Sequence, residues 1–424
     1  MYAFNRDHYL NTLEGLLAQH RRRLRRRIHF SIDGVEPRAK HSMPEADKYE
    51  VQRQLLEWLV DLRRKAFRGL LALRLTLATT ERTPTHSHNI AKNLLDLFAT
   101  PRPSLATQRR SLLYGDDNQV HALAVTCHHG ESSPMMSAVA SPLGSLLADL
   151  DLAMQSAEDR RDHHREWERS HQYETAIDEV RDMLRDEAQL RRRLGDRAFE
   201  LMLRVSRQRA QEYLLGRAAV TPLDLAKMYN VSGRAFGIDF AALWERTFAF
   251  TPLRIRLSEL PQVKGASRLW EEESDAKLRA FQAQFGWLVD PLLVPVALEV
   301  VIKPPPPSRQ NGLHDLDNVL RKYLIPRVVN ILKPVSHYAF TLDEETAKDA
   351  PNELRIAGKT FRLPSPPAST KSGMSRYEAW RLPPADEGSQ GFVSVAIVAD
   401  LTGHGDTFGQ IDNEIEQWRE SLDG

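Results

Sequence analysis

The stretch that decides the fold runs from Val294 to Leu332, VPVALEVVIKPPPPSRQNGLHDLDNVLRKYLIPRVVNIL. It opens on an apolar, β-branched run over Val294 to Ile302, which predicts a strand buried on both faces. Four prolines from Pro304 to Pro307 stop the strand and begin a polar loop that also carries Arg309. A helix is expected from Asn318 to Leu332, kinked or shortened at Pro326, whose ring removes a backbone donor. At the junction stands His314-Asp315-Leu316-Asp317-Asn318. On an extended segment, side chains two apart share one side, so the carboxylates of Asp315 and Asp317 can converge on one cation. Mg2+ takes oxygen ligands and usually one or two carboxylates, and a bound metal activates water for phosphodiester hydrolysis. The competing reading is plainer: Asp317 is a good helix N-cap, and Asp-x-Asp-Asn suits a helix start for that reason alone.

Working outward, the flanking sequence divides into three zones: 1–145, 146–250 and 251–424. The first carries expected strands at Arg27 to Val35 and Leu70 to Leu77, helices at Tyr49 to Phe67 and Asn89 to Phe98, and a closing strand pair, Val120 to Thr126 with Met135 to Ala140. The second is polar and helical, as in YETAIDEVRDML over Tyr173 to Leu184. The third adds strands at Leu253 to Leu257 and Phe392 to Val398, a helix at Ser267 to Phe285, and a Pro-, Ser- and Gly-rich long loop over 346–375. The outer zones share one order of strand, helix, strand, polar loop, helix, strands. Asn89 and Asn318 open corresponding helices 229 positions apart. The expected fold is therefore α+β: two halves with small mixed sheets and helices, related by a diverged internal duplication and joined by a helical middle region.

Composition bounds the rest. The 424 residues are 42% hydrophobic and 27% charged with a formal net charge of +1, enough apolar material for two or three packed domains and no uniformly basic coat. Charge is nevertheless clustered, in the run Arg21, Arg22, Arg23, Arg25, Arg26, Arg27 and in Arg191 to Arg193. The first of these is a candidate phosphate-gripping surface together with Arg309, against the plainer reading of a solvated helix face. The single cysteine, Cys127, excludes an intrachain disulfide and a zinc ribbon. No signal peptide and no run of about 18 apolar residues is present, so a cytoplasmic protein without a membrane span is expected. Thr221 to Phe236 has the pattern of a helix-turn-helix. His128-His129 and His163-His164 lack partners at ligand spacing and read as surface or loop residues. There is no phosphate-cradling Gly-Lys motif and no Gly-x-Ser-x-Gly element.

Strand, polar loop, Asp-Leu-Asp-Asn, amphipathic helix and then an acidic turn into a strand resembles the RusA-type Holliday-junction resolvases. That resemblance implies a small α+β fold, a homodimer acting on branched DNA, and a Mg2+ (or Mn2+) site. The site would be built from the two Asp of Asp-x-Asp-Asn, a further Asp in an Asp-Asp-x-Gln turn, and an assisting lysine. In the third zone it carries over to Asp315, Asp317 and Asn318, with Arg321 at the lysine position and Lys322 beside it. The third acid falls at Asp343, with Glu344 adjacent, and Asp386 and Glu387 are the second possibility. Arg376 to Leu382 and Gly391 to Val398 resemble the family's terminal strand pair, which would set those last two acids in the hairpin between them. In the first zone, Asp116-Asp117-Asn118-Gln119 matches the acidic turn and Lys92 the lysine, but His86 and His88 stand where the Asp pair would be. Imidazoles bind transition metals and suit Mg2+ poorly, so that half is expected to hold an altered or decayed site.

The resemblance thus implies a metal-dependent endodeoxyribonuclease on branched DNA, its two halves forming a pseudo-dimer within one chain that is itself monomeric or dimeric. Further protein partners are expected through the helical middle region. The alternative is a non-catalytic DNA-binding or assembly subunit that keeps the fold with broken sites.

Overall fold

The computed structural model describes residues 12–81, 87–159, 175–216, 218–231, 254–260, 267–310, 314–334, 352–356, 359–363, 374, 376–399 and 406–423. Its centre is a single eight-stranded mixed sheet. The first four strands are β1 (Ile28–Asp33), β2 (Leu71–Thr79), β3 (Val120–His129) and β4 (Met135–Pro142). The second four are β5 (Arg254–Leu257), β6 (Val296–Lys303), β9 (Arg376–Arg381) and β10 (Phe392–Ala399). The α+β class expected from the sequence is what forms, but the two sets of strands do not stand as separate small sheets. They join edge to edge through an antiparallel β3–β9 pair that matches Val125 with Tyr377.

The order β1-β4-β2-β3-β9-β6-β10-β5 is the same pattern read inward from either edge. β2 runs parallel to β3, and β6 parallel to β9. A parallel pair needs a crossover connection. The first crossover contains α3 (Ser87–Ala99), following α1 (Leu13–Leu24) and α2 (Glu45–Asp61) in the chain. This order corrects two expectations. β3 and β4 are not neighbours, because β2 lies between them; β9 and β10 are not a hairpin, because β6 lies between them. In each case the second strand of the set, buried on both faces, takes the inner place. The burial pattern of β6 is almost continuous, as its unbroken apolar run requires. A third expectation also changes: the long loop over 346–375 contains a two-stranded hairpin, β7 (Asn352–Ile356) and β8 (Lys359–Leu363).

Helices cover both faces. After β4 come α4 (Leu143–Asp159), α5 (Glu187–Leu194), α6 (Asp196–Gly216) and α7 (Pro222–Tyr229); α8 (Arg268–Val289) follows β5. The apolar residues of α2, α3, α6 and α8 share a core with Leu73, Leu75, Val125, Tyr377, Leu298 and Val300 of the sheet. On the other face, α4 and α7 pack with the C-terminal α11 (Thr407–Asp423) over Ala72, Ala122, Val301 and Trp380. Of the segment proposed as a helix-turn-helix, α7 forms, with a Thr221 capping box and left-handed Asn230 at its end. Residues 232–236 of that motif lie outside the described residues. Tyr229 and Leu225 of α7 face the core, so this helix is committed to packing.

The second crossover is segmented. A single helical turn, α9 (Leu316–Asn318), passes into a π-helical stretch, Val319–Leu324, and then into α10 (Ile325–Leu332), where Pro326 sits in the first turn. Inside a continuous α-helix the proline ring would collide with the Lys322 carbonyl and leave it without a donor. Widening the preceding turn to π spacing and restarting the helix at Ile325 avoids both, which is how the sequence's kink is realised. At the far end of the sheet, Gly391 enters β10 where a Cβ would collide with the Lys303 carbonyl and come 2.8 Å from Pro305 N, so the loop after β6 lies directly on its backbone.

A row of ionisable groups crosses the sheet beneath α4, α7 and α11. The strand register places Arg74, Glu378, Glu299 and Arg254 in line through Ala124 and Ala396. Arg254 pairs with Glu299, and Arg74 with Asp406. Glu378 accepts hydrogen bonds from Thr407 N (3.1 Å) and Oγ1 (2.5 Å). Burial, reinforced by Asp406 and Glu299 and opposed by Arg376, pushes the Glu378 carboxyl up to about 7. A carboxyl raised in the folded state contributes stability that is complete below its ordinary value near 4.5 and is lost as pH rises through about 7. We expect the wild-type urea midpoint to fall as pH rises from about 4.5 to about 7 and to level off by pH 8, by up to about 3 kcal/mol in stability. Glu378→Gln should flatten that fall; an equally steep decline in the variant would refute the assignment.

Candidate metal centre

The acidic turn before β3 is a short 3-10 segment, Asp117–Gln119, capped by Asp116, whose carboxylate accepts from Asn118 N at 2.9 Å. Gln119 anchors it. Its Oε1 accepts from Gly115 N and Asp116 N, and its Nε2 donates to Phe67 O and Gly69 O. One amide side chain thus ties the turn to the strand entry beside it, and leaves Asp116 and Asp117 projecting from a fixed backbone.

The Asp-Leu-Asp-Asn element meets this turn. One oxygen from each of Asp116, Asp117 and Asp315 lies within 4.8 Å of the other two. Among the described residues this is the one such group that could hold a metal. Asp315 occupies the N-cap position of α9 but makes no capping bond. Its Oδ2 accepts from Asn318 Nδ2 at 2.7 Å, and its Oδ1 is buried with no hydrogen-bond donor. The capping explanation of the motif therefore does not describe what these carboxylates do. Asp317 lies inside the turn at 4% exposure, outside the close group, and joins it through Lys92. Lys92 Nζ, from α3, is 2.6 Å from Asp117 Oδ2, 3.1 Å from Asp317 Oδ2 and 3.2 Å from Asp96 Oδ1.

Electrostatics follow from this crowding. Asp315 is held above its ordinary range by burial first, then by Asp117 and Asp116, against Asn318 and Lys92. Burial also raises Asp317, with Asp117 and Asp315 adding to it and Lys92 opposing. Burial pulls Lys92 down, but the hydrogen bond to Asp117 and the charges of Asp317, Asp117 and Asp96 outweigh it, so it stays firmly cationic. A crowded set of oxygen donors, without nitrogen or sulfur and with one buried lone oxygen, fits a small divalent cation such as Mg2+ or Mn2+.

The structure regroups the residues singled out in the sequence. Asp116, Asp117 and Lys92, read as a second site with His86 and His88, lie with Asp315 and Asp317 in one. His88 sits on α3; His86 lies outside the described residues, as do Asp343 and Glu344, expected as the third and adjacent acids. Among the described residues, the acids beside Asp315 come from the first zone. Glu387 accepts from Ser308, and Asp386 bears on Lys303, so those two, in the connection from β9 to β10, face the end of β6 and the loop after it. Arg321 is exposed and donates to Asn318 Oδ1 at 3.5 Å, while Lys322 lies over the Tyr323 ring. The lysine among the carboxylates is Lys92. Of the arginine run, Arg23 and Arg27 turn inward to Asp149, and Arg27 also reaches Asp412; Arg21, Arg22, Arg25 and Arg26 are exposed. Arg309 is engaged by Glu259 and the Ser389 carbonyl.

Two residues escaped the sequence reading. Arg381, at the end of β9, is 2% exposed and donates to the His314 carbonyl. His121, at the start of β3, is held down to about 4 by burial and then by Arg381, so its imidazole is neutral at pH 7. The available signal was three charged residues in β9, Arg376, Glu378 and Arg381, within a strand buried throughout. No helix among the described residues is long and apolar enough to cross a membrane. No family model, no curated protein and no solved structure matches this chain.

Proposed function

We propose that the chain is a divalent-metal-dependent endonuclease that cuts branched DNA in the manner of the RusA-type resolvases, with one site built from both of its outer zones. The observation that carries this reading is the convergence of Asp116 and Asp117 with Asp315, whose buried Oδ1 lacks any donor. The repeated strand order supports a duplicated ancestor whose halves now face each other across β3 and β9. The two crossover helices α3 and α9 pack together above that junction, which brings the carboxylates of one half to the lysine of the other.

Asp116, Asp117 and Asp315 would hold the ion, which supplies an activated water and charge stabilisation at the scissile phosphate. Asn318 orients Asp315, Gln119 orients Asp116 and Asp117, and Lys92 bridges Asp117 and Asp317, opposing the burial that raises Asp317. Lys92 would also supply a positive charge beside the bound ion, of the kind that stabilises charge developing on a phosphate during cleavage. Exposed Arg21, Arg22, Arg25 and Arg26 would contribute backbone affinity, which needs no base contact.

The test is cleavage of a four-way DNA junction, with linear duplex as control, in Mg2+. We expect incision of the junction, and its loss in the double variant Asp315→Asn, Asp317→Asn with junction binding retained. Equal cleavage by the double variant would sink the proposal. Binding by the wild type without any Mg2+- or Mn2+-dependent cleavage would favour a DNA-binding subunit instead.

A further inference from the structure

We propose that residues 62–70, with Arg109 and Arg110 beside them, form a phosphate-binding track that leads one arm of duplex DNA to the metal centre. Its partner, DNA, follows from the nuclease reading above; its position follows from charge and hydrogen bonding. The chain as a whole is almost neutral, with 58 basic and 57 acidic residues, so an acid-free basic surface is not a product of composition. Residues 21–27, 62–70 and 101–115 nevertheless contain no Asp or Glu, and hold six, four and three basic residues. Three of these are matched across the fold, Arg23 and Arg27 by Asp149 and Arg102 by Glu45.

The three segments are bonded to one another. Arg64 donates to the Arg25 carbonyl, and Arg109 Nη1 donates to the Arg64 carbonyl at 2.9 Å. Phe67 N donates to the Leu113 carbonyl at 2.8 Å. Gln119 Nε2 then donates to the carbonyls of Phe67 and Gly69, on either side of Arg68, while its Oε1 accepts from Asp116 N. The basic run therefore ends on the same side chain that fixes the acidic turn. A phosphate backbone lying along it would arrive at Asp116 and Asp117.

Arg63, Lys65, Arg68 and Arg110 are exposed, and among the described residues none of them has an ion-pair partner. Exposed cations elsewhere are matched by local acids, as Arg181 is by Asp178, Arg185 by Asp182 and Arg268 by Glu272. Counting Asp61, which ends α2, residues 61–70 still carry +3, four cations less one carboxylate. Arg63 also stands where a helix ordinarily places glycine. Arg63 N donates to Val60 O at 2.9 Å and Arg64 N to Leu59 O at 2.8 Å, closing α2 with Arg63 at φ 51°. That conformation costs an L-residue about 1–2 kcal/mol, and here it is given to an exposed cation. Cations along one strip without interleaved carboxylates suit a regular polyanion, and duplex DNA presents one charge about every 1.7 Å of its axis. A strip that ends at a divalent-ion site favours a phosphodiester over the carboxylates of an acidic protein.

Fluorescence anisotropy of the full chain with a short labelled duplex, across a range of NaCl in EDTA, tests this. We expect the variant Arg63→Gln, Lys65→Gln, Arg68→Gln, Arg110→Gln to bind at least about tenfold more weakly than wild type at about 0.1 M NaCl. Its slope of log affinity against log salt should be shallower by about 3–4. The charge-matched control Arg192→Gln, Arg193→Gln, Arg197→Gln, Arg204→Gln, at exposed positions of α5 and α6, should stay within about twofold of wild type. Arg63→Lys, Arg68→Lys, Arg110→Lys should keep the wild-type slope, because phosphate neutralisation counts charge. Equal weakening in the control would reduce the effect to net charge and overturn the track. So would a wild-type slope in the glutamine variant with native circular dichroism, or wild-type binding to heparin but not to duplex, which would assign the surface to another polyanion. Failure of the nuclease reading looks different: wild type that binds duplex through these residues but cuts no junction in Mg2+ keeps the track and removes the nuclease.

Discussion

Asp117→Asn should reduce Mg2+-dependent junction cleavage by at least about 10³-fold, although Asp117 stands 198 positions before Asp315 in the chain. The carboxylates of Asp116, Asp117 and Asp315 form one oxygen cluster. Replacing Asp117 removes one of its three charges and an oxygen that Lys92 holds at 2.6 Å. An amide is a weaker ligand for a hard cation, and loss of the charge lowers the local attraction for it. Junction binding should change by no more than a few-fold, since affinity comes mainly from backbone contacts elsewhere. Asp315→Asn should match Asp117→Asn in effect, and the double variant should cost little beyond either alone, because groups acting as one unit are not additive. The measurement is single-turnover cleavage of a labelled junction, with thermal melting to confirm folding. If Asp117→Asn cleaves within about threefold of wild type while Asp315→Asn is dead, the catalytic centre lies wholly in the third zone and the composite site is wrong.

Much of this site was legible in the sequence one residue at a time. Asp315, Asp317, Asn318, Lys92, Asp116 and Asp117 all stand out, as does the matching order of elements around Asn89 and Asn318. Their partnership was not legible. Spacing along a chain constrains neighbours within an element, and the grouping here depends on which strands meet. Val120 to His129 and Arg376 to Arg381 give no local sign that they pair at the centre of one sheet, yet that pairing brings the acidic turn of the first zone to the Asp-Leu-Asp-Asn element of the third. The same limit explains the mistaken strand pairs: β3 with β4 and β9 with β10 are consecutive in each set, and consecutive strands are often neighbours. Each set instead inserts its second strand between them. Arg381 was passed over for a different reason. A charged residue in a strand ordinarily marks a solvent face, and only the helices above β9 show that this one is buried.

Lys92→Met should destabilise the fold by about 3 kcal/mol or more, an effect far larger than a surface ion pair would give. The ammonium of Lys92 sits between Asp117 and Asp317 with about a fifth of its side chain exposed, and Asp317 has almost none. Removing it leaves a buried carboxylate pair without a counter-charge on that side, which costs more than the pair's own attraction contributes. The deficit should be largest above neutral pH and shrink toward pH 5. Burial already raises Asp317, the loss of Lys92 raises it further, and protonation then removes the uncompensated charge. Adding Asp317→Asn to Lys92→Met should recover part of the loss, so that urea denaturation of the four-member cycle gives a coupling above about 1 kcal/mol. Mg2+ should raise the midpoint of Lys92→Met more than that of wild type, because a divalent ion supplies the missing positive charge. Strict additivity in the cycle, or a loss below about 1 kcal/mol, would mean that Lys92 is a solvated surface group. In that case the two halves would be held together by the β3–β9 pairing and the apolar core alone.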